Sequence, residues 1–89
     1  MKKIKVAVKN EYGLHARPSS LMANLASQFK SDIKVIKDDN EVNCKSIMNL
    51  LLLAAGKGVV LTIVADGEDE DEALKALREL VEIRKFDED

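Results

Sequence analysis

The run VVLTIVA at residues 59–65 carries no charge, and five of its seven residues are β-branched. Such side chains are stiff in a helix but pack well on a pleated surface, and an edge strand ordinarily carries charge against unwanted pairing. The run is therefore a central strand, and the chain must supply flanking strands and a layer to cover an apolar face. The flanking strands are legible. Ile4, Val6 and Val8 alternate with Lys3, Lys5 and Lys9, the pattern of a strand with one buried face. Residues 33–37 (IKVIK) form another, and residues 41–43 a short returning strand. Between them, Asp38, Asp39 and Asn40 tolerate positive φ and make the pair a hairpin.

The covering layer reads as helices. Leu21, Met22, Leu25, Ala26 and Phe29 form one apolar stripe in a helix expected over 16–29 and ended by Ser31-Asp32. Ser46 stands at an N-cap position ahead of a short helix from Ile47 to about Ala54, with Gly56 as its stop. After a turn at Asp66-Gly67, the acids 69–72 sit where a helix dipole favours them, and Asp69 with Glu72 has capping-box spacing. Leu74, Leu77, Leu80 and Val81 are that helix's buried stripe, and it is expected to fray near Lys85. The order is β-α-β-β-α-β-α, an α+β fold with a four-stranded antiparallel sheet covered on one face by helices. Eighty-nine residues allow a single domain, 1–89. Its core is aliphatic, since the aromatics are Tyr12, Phe29 and Phe86 alone.

Several function classes have little support. The single cysteine, Cys44, cannot form an internal disulfide, which fits a reducing compartment. Met1-Lys2-Lys3 leads into no signal-like apolar core, and the longest apolar run, 50–55, is too short to span a bilayer, so no membrane insertion and a cytoplasmic location are expected. Net charge is −2 with no basic face interleaved with aromatics, so no nucleic-acid partner is expected. Cys44 and His15 fall short of four zinc ligands, so no metal is expected.

The chemistry concentrates in Gly13-Leu14-His15-Ala16-Arg17-Pro18, which holds the only histidine and the only proline. An imidazole, with an ordinary pKa of about 6.5, keeps one ring nitrogen unprotonated near neutral pH and can act as a nucleophile. Pro18 fits a first helical turn, which places His15 at the helix start beside free backbone N–H groups. Such a terminus binds phosphate, and Arg17 adds a fork of donors. A histidine before a helix is also commonly a surface residue or a cap.

This hexapeptide reproduces the active-site motif of the HPr family, the histidine-containing phosphocarriers of the bacterial sugar phosphotransferase system. Val42-Asn43-Cys44-Lys45-Ser46-Ile47-Met48 is similar to that family's regulatory-serine segment, at the family's spacing. The resemblance implies an open-faced β-sandwich and a stoichiometric relay, with no cofactor, rather than a turnover enzyme. It implies that His15 takes a phosphoryl group from phosphorylated enzyme I and passes it to an enzyme IIA. Arg17 and the N–H groups of residues 16 and 17 would hold the phosphate, and Pro18 would fix the loop-to-helix geometry. It also implies Ser46 as a phosphoserine site, acted on by an HPr kinase/phosphorylase and read by a catabolite-control transcription regulator. Lys45 is a solvated charge or a partner for that phosphate. Ile47, Met48, Leu51 and Leu52 are the candidate docking residues for enzyme I and enzyme IIA, and the protein is expected to be a monomer.

The chain departs from the family in three places. Ser19-Ser20 replaces small residues, often alanine, and its hydroxyls either contact the phosphate region or are exposed in the first turn. Asn49 stands where glycine is common, and the run 50–55 is greasier than usual. These changes fall on the docking surface and bear on partner choice. Three alternatives to the carrier therefore stand: a regulatory adaptor working through Ser46, a nitrogen-type regulatory paralogue, and a plain interaction module that takes no phosphate.

Overall fold

The computed structural model describes residues 1–87. The elements follow in the expected order: β1 (Lys2–Ala7), α1 (Ala16–Ala26), β2 (Asp32–Lys37), β3 (Asn40–Asn43), α2 (Ile47–Leu53), β4 (Val60–Asp66) and α3 (Glu70–Arg78). The sheet order is β1-β4-β2-β3 and every pairing is antiparallel. The charge-free strand β4 is central, as its composition requires.

Register sorts the two faces. Ile4, Ile63, Val35 and Val42 lie opposite one another in a row across all four strands. The neighbouring row, on the other face, is Lys3, Val64, Lys34 and Asn43. The first face is roofed by the helices, and the second stays open. Met22 and Ala26 of α1, Leu50 and Leu53 of α2, and Leu74 and Leu77 of α3 are buried against Ile33, Val35, Leu61 and Ile63. Each fully buried aliphatic side chain stabilises the fold by ~2 kcal/mol. No helix among the described residues is long and apolar enough to cross a membrane.

Helices α1 and α2 start, and α2 ends, about where expected, but each helix is closed differently at one end or more, for a physical reason. Helix α1 stops at Ala26 rather than Phe29. Ser27 donates both its N–H and its hydroxyl to the Ala23 carbonyl, at 3.0 and 2.8 Å, and the next two amides tighten to i→i+3 bonds. Phe29, beyond the helix, still packs against the core. Helix α2 is closed by Ala54 in the left-handed region (φ 53°), not by Gly56. Lys37 Nζ donates to the carbonyls of Leu53 and Ala54, placing a cation at the helix's negative end.

At α3 the capping box does not form. Asp69 makes no side-chain cap. Its carboxylate turns back to accept from the backbone N–H groups of Lys30 (2.8 Å) and Ser31 (2.9 Å) and from the Ser31 hydroxyl. Glu70 accepts instead from Gly67 N–H at 3.2 Å. Nor does the chain fray near Lys85. After α3 it makes a π-helical turn, Glu79–Ile83, then a hook at Lys85, Phe86 and Asp87 with φ of 50°, 57° and 56°. The hook drives Phe86 fully into the core.

Candidate functional site

The loop before α1 is held from below. Gly13 has φ +64°, and a Cβ there would lie 2.2 Å from the Ala55 carbonyl oxygen, so the close approach requires glycine. Asn10 Nδ2 donates to the Gly13 carbonyl at 2.8 Å, and Gly13 N–H donates back to the Asn10 carbonyl at 3.3 Å. Leu14 N–H donates to the Ala55 carbonyl at 2.8 Å, and its side chain is buried. The segment that follows α2 thus braces the loop that precedes α1.

His15 is the N-cap residue of α1, extended (φ −80°, ψ −170°) and exposed, and its side chain makes no capping bond to the helix. The helix's first bond runs from Ser19 N–H to the His15 carbonyl at 3.0 Å, so the N–H groups of Ala16 and Arg17 have no acceptor within the helix. Pro18 is buried in the first turn, as its fixed φ favours. The Tyr12 ring stands edge-to-face with the His15 imidazole, 6.1 Å between centroids at 88°.

Arg17 is anchored from the far end of the sequence. Its Nη1 donates to the Phe86 carbonyl at 2.8 Å, so the C-terminal hook and the histidine loop share one side of the fold. The Arg84 guanidinium, and more weakly that of Arg17, holds the Asp87 carboxyl below its ordinary range. Ser19 fits neither role expected of it. It is fully buried, and its hydroxyl donates to the Leu14 carbonyl at 3.1 Å. Ser20 is half-buried and accepts from Asn24 Nδ2 at 3.5 Å.

Ser46 caps α2, and its Oγ accepts from the Asn49 backbone N–H at 3.2 Å. A second donor, Asn49 Nδ2, reaches the same oxygen at 3.1 Å. Lys45 is half-buried, and its Nζ donates to the Phe29 carbonyl at 2.8 Å. Of the candidate docking residues, Ile47, Met48 and Leu52 are 39%, 66% and 77% exposed, whereas Leu51 is half-buried. Seven helical residues over one sheet give a face to Leu50 and Leu53 and leave Met48 and Leu52 on the opposite side.

Cys44 is fully buried, and burial pushes its thiol up to about 12, which keeps it protonated. No group of three His, Cys, Asp or Glu side chains among the described residues is placed to hold a metal ion.

Three contributors escape a reading by motif. They are Tyr12 beside the imidazole, the Phe86 carbonyl on Arg17, and the Asn49 amide on Ser46. The available signals were a lone aromatic in an acidic tail for Phe86 and an amide in place of glycine for Asn49.

The chain is similar to known proteins along nearly its whole length. Residues 2–82 match the family described as PTS HPr component phosphorylation site. The phosphocarrier protein HPr of Neisseria meningitidis is 49% identical over 81 residues, 91% of each chain. The crystal structure of an HPr from Thermoanaerobacter tengcongensis is similar with a TM-score of 0.95 at 47% identity, over 100% of this chain and 99% of that one. Crh of Bacillus subtilis, a catabolite-repression protein whose structure is a dimer with a swapped domain, is similar with a TM-score of 0.76 at 44% identity, over 93% and 95% of the two chains. Matched along nearly its whole length by a family model, a curated relative and a solved structure, the chain belongs to the HPr family of phosphocarriers of the phosphotransferase system.

Proposed function

We propose that His15 accepts a phosphoryl group from phosphorylated enzyme I and delivers it to an enzyme IIA component. The observation that carries this reading is the exposed imidazole at the start of α1, on a loop pinned by Gly13 and Leu14 to Ala55. An imidazole nitrogen lone pair bonds to phosphorus as the donor's bond to that phosphorus breaks, and the reverse occurs at the acceptor. Such transfer demands in-line positioning and charge stabilisation more than further covalent chemistry. Arg17 supplies charge and the N–H groups of Ala16 and Arg17 supply donors, while the buried Pro18 keeps the first turn rigid. Ile47, Met48 and Leu52, with part of Leu51, form the docking face. The chain acts as one cytoplasmic domain and as a monomer. In support of the latter, the free edge of β1 is covered by Glu82, which accepts from Ala7 N–H at 2.8 Å, and by Arg78, which donates to the Lys5 carbonyl at 3.2 Å.

A second role, as a regulatory adaptor through Ser46 phosphorylation, is favoured by the similarity to Crh, a catabolite-repression protein. Phosphate at Ser46 would add about −1.5 to −2 charges beside the docking face.

The test is intact-mass analysis after incubation with enzyme I and phosphoenolpyruvate. The expected result is one acid-labile phosphate that is absent from His15→Ala. No gain with active enzyme I from the same organism would overturn the relay, and the adaptor reading would then be tested with ATP and an HPr kinase.

A further inference from the structure

Asn49 is joined to Ser46 twice and to β3 once. Its backbone N–H and its side-chain Nδ2 both point at Ser46 Oγ, at 3.2 and 3.1 Å. Its Oδ1 accepts from the Asn43 backbone N–H at 3.3 Å. That third bond fixes the amide's orientation. Turned over, Asn49 would face the Asn43 N–H with its own NH₂, donor against donor. The side chain is half-buried, so its geometry is set by the packing of α2 on β3 rather than by solvent.

We propose that Asn49 is a positioning residue that latches Ser46 and slows its modification, an inference that rests on the reading of Ser46 as a regulatory phosphoacceptor. The chemistry follows from counting lone pairs. A hydroxyl oxygen has two, and an N-capping serine commits one of them to a helix N–H. Glycine at position 49 would leave the other free, whereas the Asn49 amide occupies it. In phosphorylation by a kinase, Ser46 Oγ bonds through a lone pair to the γ-phosphorus of a nucleoside triphosphate. The bond from that phosphorus to its bridging oxygen breaks, the nucleoside diphosphate leaves with the electron pair, and the hydroxyl proton passes to a base of the kinase. The Asn49 donor must be released before the attack, so the amide acts on the chemical step and not on the exposed residues through which a partner would dock.

The experiment compares wild type with Asn49→Ala as substrates for an HPr kinase and ATP, with a known protein substrate of that kinase as positive control. We expect kcat for Ser46 phosphorylation to rise about tenfold at the upper end and threefold at the lower in Asn49→Ala, the worth of one hydrogen bond, with KM little changed. Equal kcat values, or an effect confined to KM, overturn the latch. Absence of phosphoserine on both variants beside a modified control overturns the regulatory reading of Ser46 and the latch with it, while leaving His15 untouched. A kinase-free arm stands independently. In Ser46→Ala, the Asn49 side-chain amide protons should shift and exchange faster by NMR, and unchanged resonances in a folded variant overturn the contact itself.

Discussion

Gly13 and Ala54 occupy the same left-handed region of backbone space with opposite consequences. At Gly13 the added Cβ of Gly13→Ala meets the Ala55 carbonyl oxygen at 2.2 Å, so backbone on one side must move. We expect a loss of about 2 kcal/mol, from the left-handed penalty together with that clash. Slower phosphorylation should accompany it, because the displaced loop carries His15. At Ala54, φ 53° places an alanine where helix exits favour glycine. Ala54→Gly should therefore gain about 1 kcal/mol, against the usual rule that glycine weakens a helix. Urea midpoints of the two variants check both signs in one experiment. Gly13 was legible in the sequence as the glycine two residues before the histidine. Ala54 was not, because a glycine two residues further on looked like the stop and because the left-handed turn comes from how α2 meets Lys37 and the loop to β4.

The C-terminal hook shows how an element's end can serve a site at the other end of the chain. Three successive residues at positive φ cost backbone energy, and burial of Phe86 offsets it. The same hook offers its carbonyl to Arg17. Phe86→Ala should destabilise the protein by ~3 kcal/mol through the cavity it leaves. It should also shift the Arg17 guanidinium Nη–H resonances, because the carbonyl that accepts from Nη1 loses its fixed place. A shift without destabilisation, or the reverse, would separate the two roles assigned to Phe86. From the sequence this tail looked frayed, since an aromatic among Arg, Lys and Asp gives no periodic signal. The start of α3 carries the same lesson. The acids at 69–72 suit a helix terminus, yet Asp69 serves the α1–β2 connection, because closing that connection onto α3 leaves two amides and a hydroxyl in need of an acceptor.

For the molecule as a whole, that clamp gives stability a pH dependence. The Ser31 hydroxyl, followed by the Lys30 and Ser31 amides, holds the Asp69 carboxyl below its ordinary range. The Gly67 amide and then the Met1 ammonium do the same for Glu70. Unfolded, these groups titrate at about 3.9 and 4.3. In the window below those values the unfolded chain binds more protons than the folded one, so acid favours unfolding. The contribution is complete above about pH 5 and is lost as pH falls through the unfolded values toward the lower folded ones. Thermal midpoints across this range should fall for wild type, and Asp69→Ala should start lower at neutral pH and fall less steeply. Parallel curves would show that the Asp69 carboxylate is not linked to folding.

What the sequence determined by itself is whatever local periodicity and end signals encode. This includes the β-α-β-β-α-β-α order, the central place of the charge-free strand, the aliphatic face of the sheet, and a histidine at a helix start beside Arg17 and Pro18. These follow from side chains a few residues apart, where spacing alone selects strand or helix and its buried face. Only the tertiary structure decided which leucines of α2 turn inward, that Asp69 leaves its helix to hold Ser31, that Ser19 is sealed under Leu14, and that Phe86 reaches Arg17. Except for the Ser19 bond, which needs the buried Leu14 turn to close, each joins groups far apart in the chain or depends on which face of a short helix meets the sheet. Their geometry exists only once the sheet has formed and the helices have packed upon it, because the unmet hydrogen-bonding groups and unfilled space that select them are created by that packing.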